Sequence, residues 1–176
     1  MADIKLREYI SGESLTAFNA PHLYRIAKKM GQDADDYVRI WKTGKTKILK
    51  QLIEKLQEIS FEGFVVAPTN TPYFNSDLEK ALVSSFPNAV NFTKCFAKLN
   101  NFPLLTTNSE LSEQELKKRF TLNKNCFNTF FVEDIKQILL VDDVFSIGNT
   151  FRGMEFLIKD IHQDIQIIKA VILKTT

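Results

Sequence analysis

The chain has 176 residues, 44% of them hydrophobic and 25% charged, with 23 Lys and Arg against 21 Asp and Glu. That length and apolar content suit one domain with a proper core, and a formal charge of +2 demands no polyanionic partner. No apolar run approaches the ~20 residues that cross a bilayer, Met1 to Glu8 is polar rather than a signal sequence, and two cysteines, Cys95 and Cys126, are too few for a disulfide framework or a zinc site, so both are expected as buried thiols in a reducing cytoplasm.

In chain order, Ile4, Leu6 and Tyr9-Ile10 suggest a short edge strand. Asn19 is placed to cap a helix with Pro21 in its first turn, Leu23, Ile26, Ala27 and Met30 on one face, and Gly31 as its stop. His22 and His162 lack companion ligands and read as surface or capping residues. Gly44-Lys45-Thr46 is no P-loop, because Arg39 stands where the first glycine is needed. Ile48, Leu49, Leu52, Ile53, Leu56 and Ile59 make an amphipathic helix. Lys42, Lys45, Lys47 and Lys50 then form mostly its solvated face, and nucleic-acid binding there is the disfavoured alternative.

Phe64-Val65-Val66-Ala67 is a buried-strand candidate ended by the turn formers Pro68-Thr69-Asn70-Thr71-Pro72. Ser76 and Glu79 have capping-box spacing ahead of Leu78, Leu82, Val83 and Phe86, and Pro87-Asn88 breaks that helix. Ala89 to Phe92 reads as a third strand and Phe102 to Ser109 as polar loop. Ser112 and Glu115 repeat the capping box ahead of Lys117, Lys118 and Arg119.

Ile138-Leu139-Leu140-Val141 is an apolar run without alternation, as in a strand buried on both faces of a parallel sheet. Asp142 and Asp143 end it, Ser146 to Thr150 form a tight loop around Gly148, and Phe151, Met154, Phe156, Leu157, Ile158 and Ile161 follow at helical spacing. Ile165 to Leu173 is the last strand. Strands alternating with helices predict an α/β fold, a Rossmann-like parallel sheet flanked by helices. Ligands of such sheets sit at the carboxyl ends of the strands, and a helix N-terminus offers free N–H groups to a phosphate.

Val-Asp-Asp-Val, a small hydroxyl residue, then Gly-x-Thr resembles the phosphoribosyl-diphosphate (PRPP) motif of type I phosphoribosyltransferases. The resemblance implies that fold for residues 38–176, with residues 1–37 a small N-terminal hood. It implies that Asp142 and Asp143 take the ribose hydroxyls and that Ser146, Ile147, Gly148, Asn149 and Thr150 wrap the 5′-phosphate. Ile147 stands where the family usually has Thr, which removes one hydroxyl donor. By position, Pro68, Thr69, Asn70 and Thr71 would hold pyrophosphate through backbone N–H groups, with Arg119, on a loop long enough to close as a lid, as the cation. Arg119, Asn123 and Phe127 resemble, with one extra residue in the spacing, a segment of the competence-protein ComF-like branch.

The activity implied is PRPP-dependent pentosyl transfer to a nitrogen nucleophile, with Mg²⁺ carried by PRPP and no direct metal ligand on the protein. The alternative is a catalytically impaired PRPP or nucleotide sensor, or a protein of DNA uptake. A cytoplasmic protein without membrane contact is expected, and a homodimer is left open.

Overall fold

The computed structural model describes residues 5–10, 14–19, 46, 49–69, 72–99, 109–130, 135–145 and 148–174. A six-stranded sheet runs in the order β1-β2-β8-β7-β3-β4. Its strands are β1 (Lys5–Ile10), β2 (Ser14–Asn19), β3 (Gly63–Val66), β4 (Val90–Asn91), β7 (Gln137–Phe145) and β8 (Gln166–Lys174). Every neighbouring pair is parallel except the β1–β2 hairpin.

The sheet is parallel and central because its middle strands carry apolar residues on both faces. From β7, Leu139 and Val141 join Leu52 and Leu56 of a helix over 49–56 (α1) and Leu78 and Leu82 of α2 (Pro72–Ser85). Ile138 and Leu140 face the other way, into a cluster with Phe92, Phe127, Phe151, Met154 and Ile158. Helices thus cover both faces, as the alternation of elements predicts. No helix among the described residues is long and apolar enough to cross a membrane.

Between β4 and β7 the chain leaves the sheet. A 3-10 turn (Thr93–Cys95) leads into β5 (Phe96–Lys98), which pairs antiparallel with β6 (Phe120–Leu122). The short helix α3 (Glu113–Lys117) precedes β6, and α4 (Lys124–Phe130) follows it. Helix α5 (Asn149–Lys159) then joins β7 to β8.

Several expectations change. Asn19 ends β2, a strand the hydrophobic pattern does not reveal, and the helix expected after it lies outside the described residues. The β1–β2 hairpin, in the segment assigned to the hood, extends the main sheet beyond β8 through Leu15↔Lys169 and its neighbours. Helix α2 starts at Pro72 rather than at Ser76, because proline suits a first helical position where no N–H is needed. The Ser112–Glu115 box is formed: the Ser112 N–H donates to Glu115 Oε2 at 2.8 Å, and the Glu115 N–H donates back to Ser112 Oγ.

The cysteines are a correction. Cys95 and Cys126 form a disulfide with Cα atoms 5.5 Å apart, not two free thiols. The 3-10 turn and α4 bring them within bridging range because Phe127 stacks on Phe92 at 4.5 Å and meets Phe96 edge-on at 6.2 Å.

Candidate functional site

Strand β3 sits between β4 and β7. The chain leaves β3 through α2 to β4 on one side, then returns to β7 on the other and continues to β8. Connections that diverge from adjacent parallel strands open a crevice at their carboxyl ends. The register Val66↔Val141, extended by the Ala67 N–H donating to the Val141 carbonyl at 2.7 Å, sets Ala67-Pro68-Thr69 beside Asp142-Asp143. Two stretches distant in sequence thus meet at one edge of the sheet. The Ala67 carbonyl accepts from Asn75 Nδ2, which ties the end of β3 to the first turns of α2. On the other side, Thr93 Oγ1 accepts from the Val66 N–H at 3.0 Å.

Asp142 and Asp143 lie within β7, because the β7–β8 ladder continues past them to Phe145↔Lys174. Alternation gives Asp142 the face of Ile138 and Leu140, so its side chain is 6% exposed, while Asp143 is half-buried. The Asp143 N–H donates to Asp142 Oδ1 at 2.9 Å. Burial holds the Asp142 carboxyl well above the usual aspartate range. The Asp143 charge and a hydrogen bond between the two side chains push it further, and Lys98 offsets part of the rise. Such a pair is poised to accept hydrogen bonds from two neighbouring hydroxyls once both groups are ionised.

Lys98 is the residue sequence reasoning missed. It ends β5, and burial lowers the proton affinity of its ammonium against the opposing pull of Asp142 and Asp143. Arg119 adds to the lowering, so a second cation lies beside it. The hairpin accounts for this: Lys98 pairs with Phe120, and the Leu99 N–H donates to the Arg119 carbonyl at 2.8 Å. A lone lysine behind Phe96-Ala97 carries no sequence signal, and only the folded chain brings it within reach of the acids' charges.

Arg119 follows directly on α3, whose C-cap is Lys118, and the Arg119 N–H donates to the Leu116 carbonyl at 2.9 Å. Arg119 is expected on a loop long enough to close as a lid, and residues 100–108 of that stretch lie outside the described residues. Residues 109–119 are docked along α5, because Leu111, Leu116 and Phe120 pack against Phe156 and Leu157, and Lys117 pairs with Asp160 at 2.8 Å.

In the stretch expected to take the phosphate, Gly148 is the N-cap of α5 with φ 81°, a left-handed conformation that glycine adopts freely. Asn149 and Thr150 form the first turn, with Asn149 buried and Thr150 half-buried. The Asn149 side chain is committed elsewhere: Oδ1 accepts from the Leu111 N–H and Nδ2 donates to the Ser109 carbonyl, each at 3.1 Å. Its backbone N–H remains at the helix start. Of the other expected ligands, Pro68 and Thr69 are half-buried beside the acids, whereas Asn70, Thr71, Ser146 and Ile147 lie outside the described residues.

No protein-family model and no curated protein matches the sequence. Solved structures do match. Adenine phosphoribosyltransferase from Thermoanaerobacter pseudethanolicus aligns with a TM-score of 0.50 over 79% of this chain and 86% of its own, at 15% identity. Xanthine-guanine-hypoxanthine phosphoribosyltransferase from Helicobacter pylori aligns over 74% of this chain and 73% of its own, with a TM-score of 0.44 and 15% identity. The chain has the type I phosphoribosyltransferase fold. Within that fold, two residues of the segment expected to resemble the ComF-like branch have clear local roles here. Asn123 Oδ1 accepts from the Cys126 N–H at 3.0 Å and so caps α4, and Phe127 is a buried core ring.

Proposed function

We propose that the protein binds PRPP, or another ribose 5-phosphate ligand, at the ends of β3 and β7. It would transfer the phosphoribosyl group to a nitrogen nucleophile and release pyrophosphate. The observation that carries this reading is the meeting of Asp142-Asp143 with Ala67-Pro68-Thr69 at the divergence of β3 and β7, with Lys98 acting on both acids and Arg119 acting on Lys98. The carboxylates would hold the ribose hydroxyls, and the first N–H groups of α5 would receive the 5′-phosphate. The β3 loop has no Lys or Arg from Ala67 to Thr71, so Lys98 and Arg119 are the cations for the charged leaving group.

Among the described residues no three His, Cys, Asp or Glu side chains gather as a metal site. The donor set suits Mg²⁺ brought in on the oxygens of PRPP, with Asp142 and Asp143 as the residues that would face it. Bound there, Mg²⁺ supplies charge neutralisation to the departing pyrophosphate.

Within this reading, Arg119, Asn123 and Phe127 support the ComF-like branch. A binder that has lost catalysis, whether a PRPP or nucleotide sensor or a protein of DNA uptake, is the second reading. It is favoured by Ile147 in place of the usual hydroxyl. Calorimetric titration with PRPP, with and without Mg²⁺, followed by a pyrophosphate-release screen over ammonia, amines and bases, separates the two. Saturable binding with turnover supports the enzyme. Binding without turnover, with activity gained by Ile147→Thr, supports the binder. No binding of PRPP or ribose 5-phosphate overturns both.

A further inference from the structure

Among the described residues two polar side chains are buried, Asp142 and Asn149, and both belong to the stretch read as the PRPP motif. Asp142 has a role in the proposed chemistry. Asn149, 4% exposed, does not use its side chain toward the crevice. Its amide spends one donor and one acceptor on the backbone of Ser109 and Leu111. An amide can do both at once, whereas a carboxylate only accepts.

The chain it holds leads directly to a cation. Leu111 precedes the Ser112 cap of α3, and α3 ends at Arg119. This stretch is tied to α5 along its length. The capping box closes one end, Gly153 admits Phe120 and Leu116 close to the α5 backbone, and Lys117 pairs with Asp160 at the far end of α5. Arg152 adds an exposed contact to Glu110 at 3.2 Å. Of these ties, Asn149 is the buried one at the phosphate end of the helix. From Arg119 the β5–β6 pairing returns to Lys98, and Lys98 acts on Asp142.

We propose that Asn149 is a positioning residue that couples occupancy of the 5′-phosphate end of α5 to the placement of Arg119 over the pyrophosphate side of the crevice. This rests on the proposed PRPP site. A phosphate bound at the first turn of α5 holds the Asn149 side chain in place, and with it residues 109–111 and the segment behind them. The leaving-group cation is then set in place by a ligand group it does not touch.

The test is amide hydrogen exchange of the full chain with and without ribose 5-phosphate, together with a double-mutant cycle on PRPP affinity. Ribose 5-phosphate is expected to slow exchange across residues 109–119 in the native chain and to leave it unchanged in Asn149→Ala. Asn149→Ala and Arg119→Gln are each expected to weaken PRPP binding about tenfold, and the double variant no more than either alone. Additive losses, or no ligand-dependent protection of 109–119 in the native chain, would overturn the coupling. The native-chain exchange result decides the matter if Asn149→Ala does not fold. Failure of the native chain to bind either ligand would instead overturn the proposed site, and the coupling with it.

Discussion

Lys98 at the end of β5 and Asp142 in β7 act on each other's proton. Burial lowers the lysine and raises the aspartate, and the attraction between them opposes both shifts. They come from different sheets, so their meeting reports how the β5–β6 hairpin is seated against the crevice.

If Lys98 faces both the acids and the pyrophosphate of PRPP, Lys98→Gln should weaken PRPP binding by 10- to 100-fold. That follows from about 1.5–3 kcal/mol for a hydrogen bond to a charged group. Loss of the cation should also push the Asp142 carboxyl still higher, which NMR titration of the side-chain carbon would read. Unchanged affinity and an unchanged Asp142 titration would remove Lys98 from the site.

Asp143→Asn separates binding from stability. Asp142 holds its proton more tightly in the folded chain than at the ordinary 3.8, so the stability it contributes is complete below that value. That contribution is lost as pH rises through the raised value. Removing the Asp143 charge lowers the Asp142 value, although burial keeps it up, so the loss should level off at lower pH and be smaller in total. Denaturant unfolding from acid to neutral pH should show a shallower decline for the variant, while ribose 5-phosphate binding weakens by about tenfold. Parallel pH curves would contradict the coupling of the pair.

Gly153→Ala tests the docking of α3 and β6 on α5. A methyl group there would lie 2.7 Å from the Phe120 ring, which is itself buried. Overpacking of this kind should cost about 1–3 kcal/mol. The expected result is a lower denaturation midpoint, restored in part by Phe120→Leu. A variant of native stability would mean that the segment is not held this close.

The disulfide spans 31 positions, from the turn before β5 to α4. Cys126→Ser should therefore cost about 2–4 kcal/mol. Alkylation of the unreduced native chain in denaturant should label neither cysteine. Labelling of both would return them to the free thiols expected from composition.

What the sequence determined by itself was local and periodic. The run Ile138 to Val141 needs only its own composition to mark a strand buried on both faces. Asp142-Asp143, the Gly148 loop and the apolar face of α5 follow within one continuous stretch, so the strand–loop–helix unit and its carboxylates were legible. The Ser112 box was legible for the same reason, since a cap and its partner lie within one turn. Tertiary structure decided everything that depended on pairing across distance. Three-residue strands such as Phe96–Lys98 have no period to detect, and they exist because Phe120–Leu122 lies beside them. Lys98 comes within reach of Asp142 and Asp143 only in the folded chain. Cys95 and Cys126 became a bridge only once Phe127 had stacked on Phe92. Asn149, expected from the sequence in the loop around a phosphate, turns its side-chain amide to Ser109 and Leu111, because the N-terminal turn of α5 is where that segment packs.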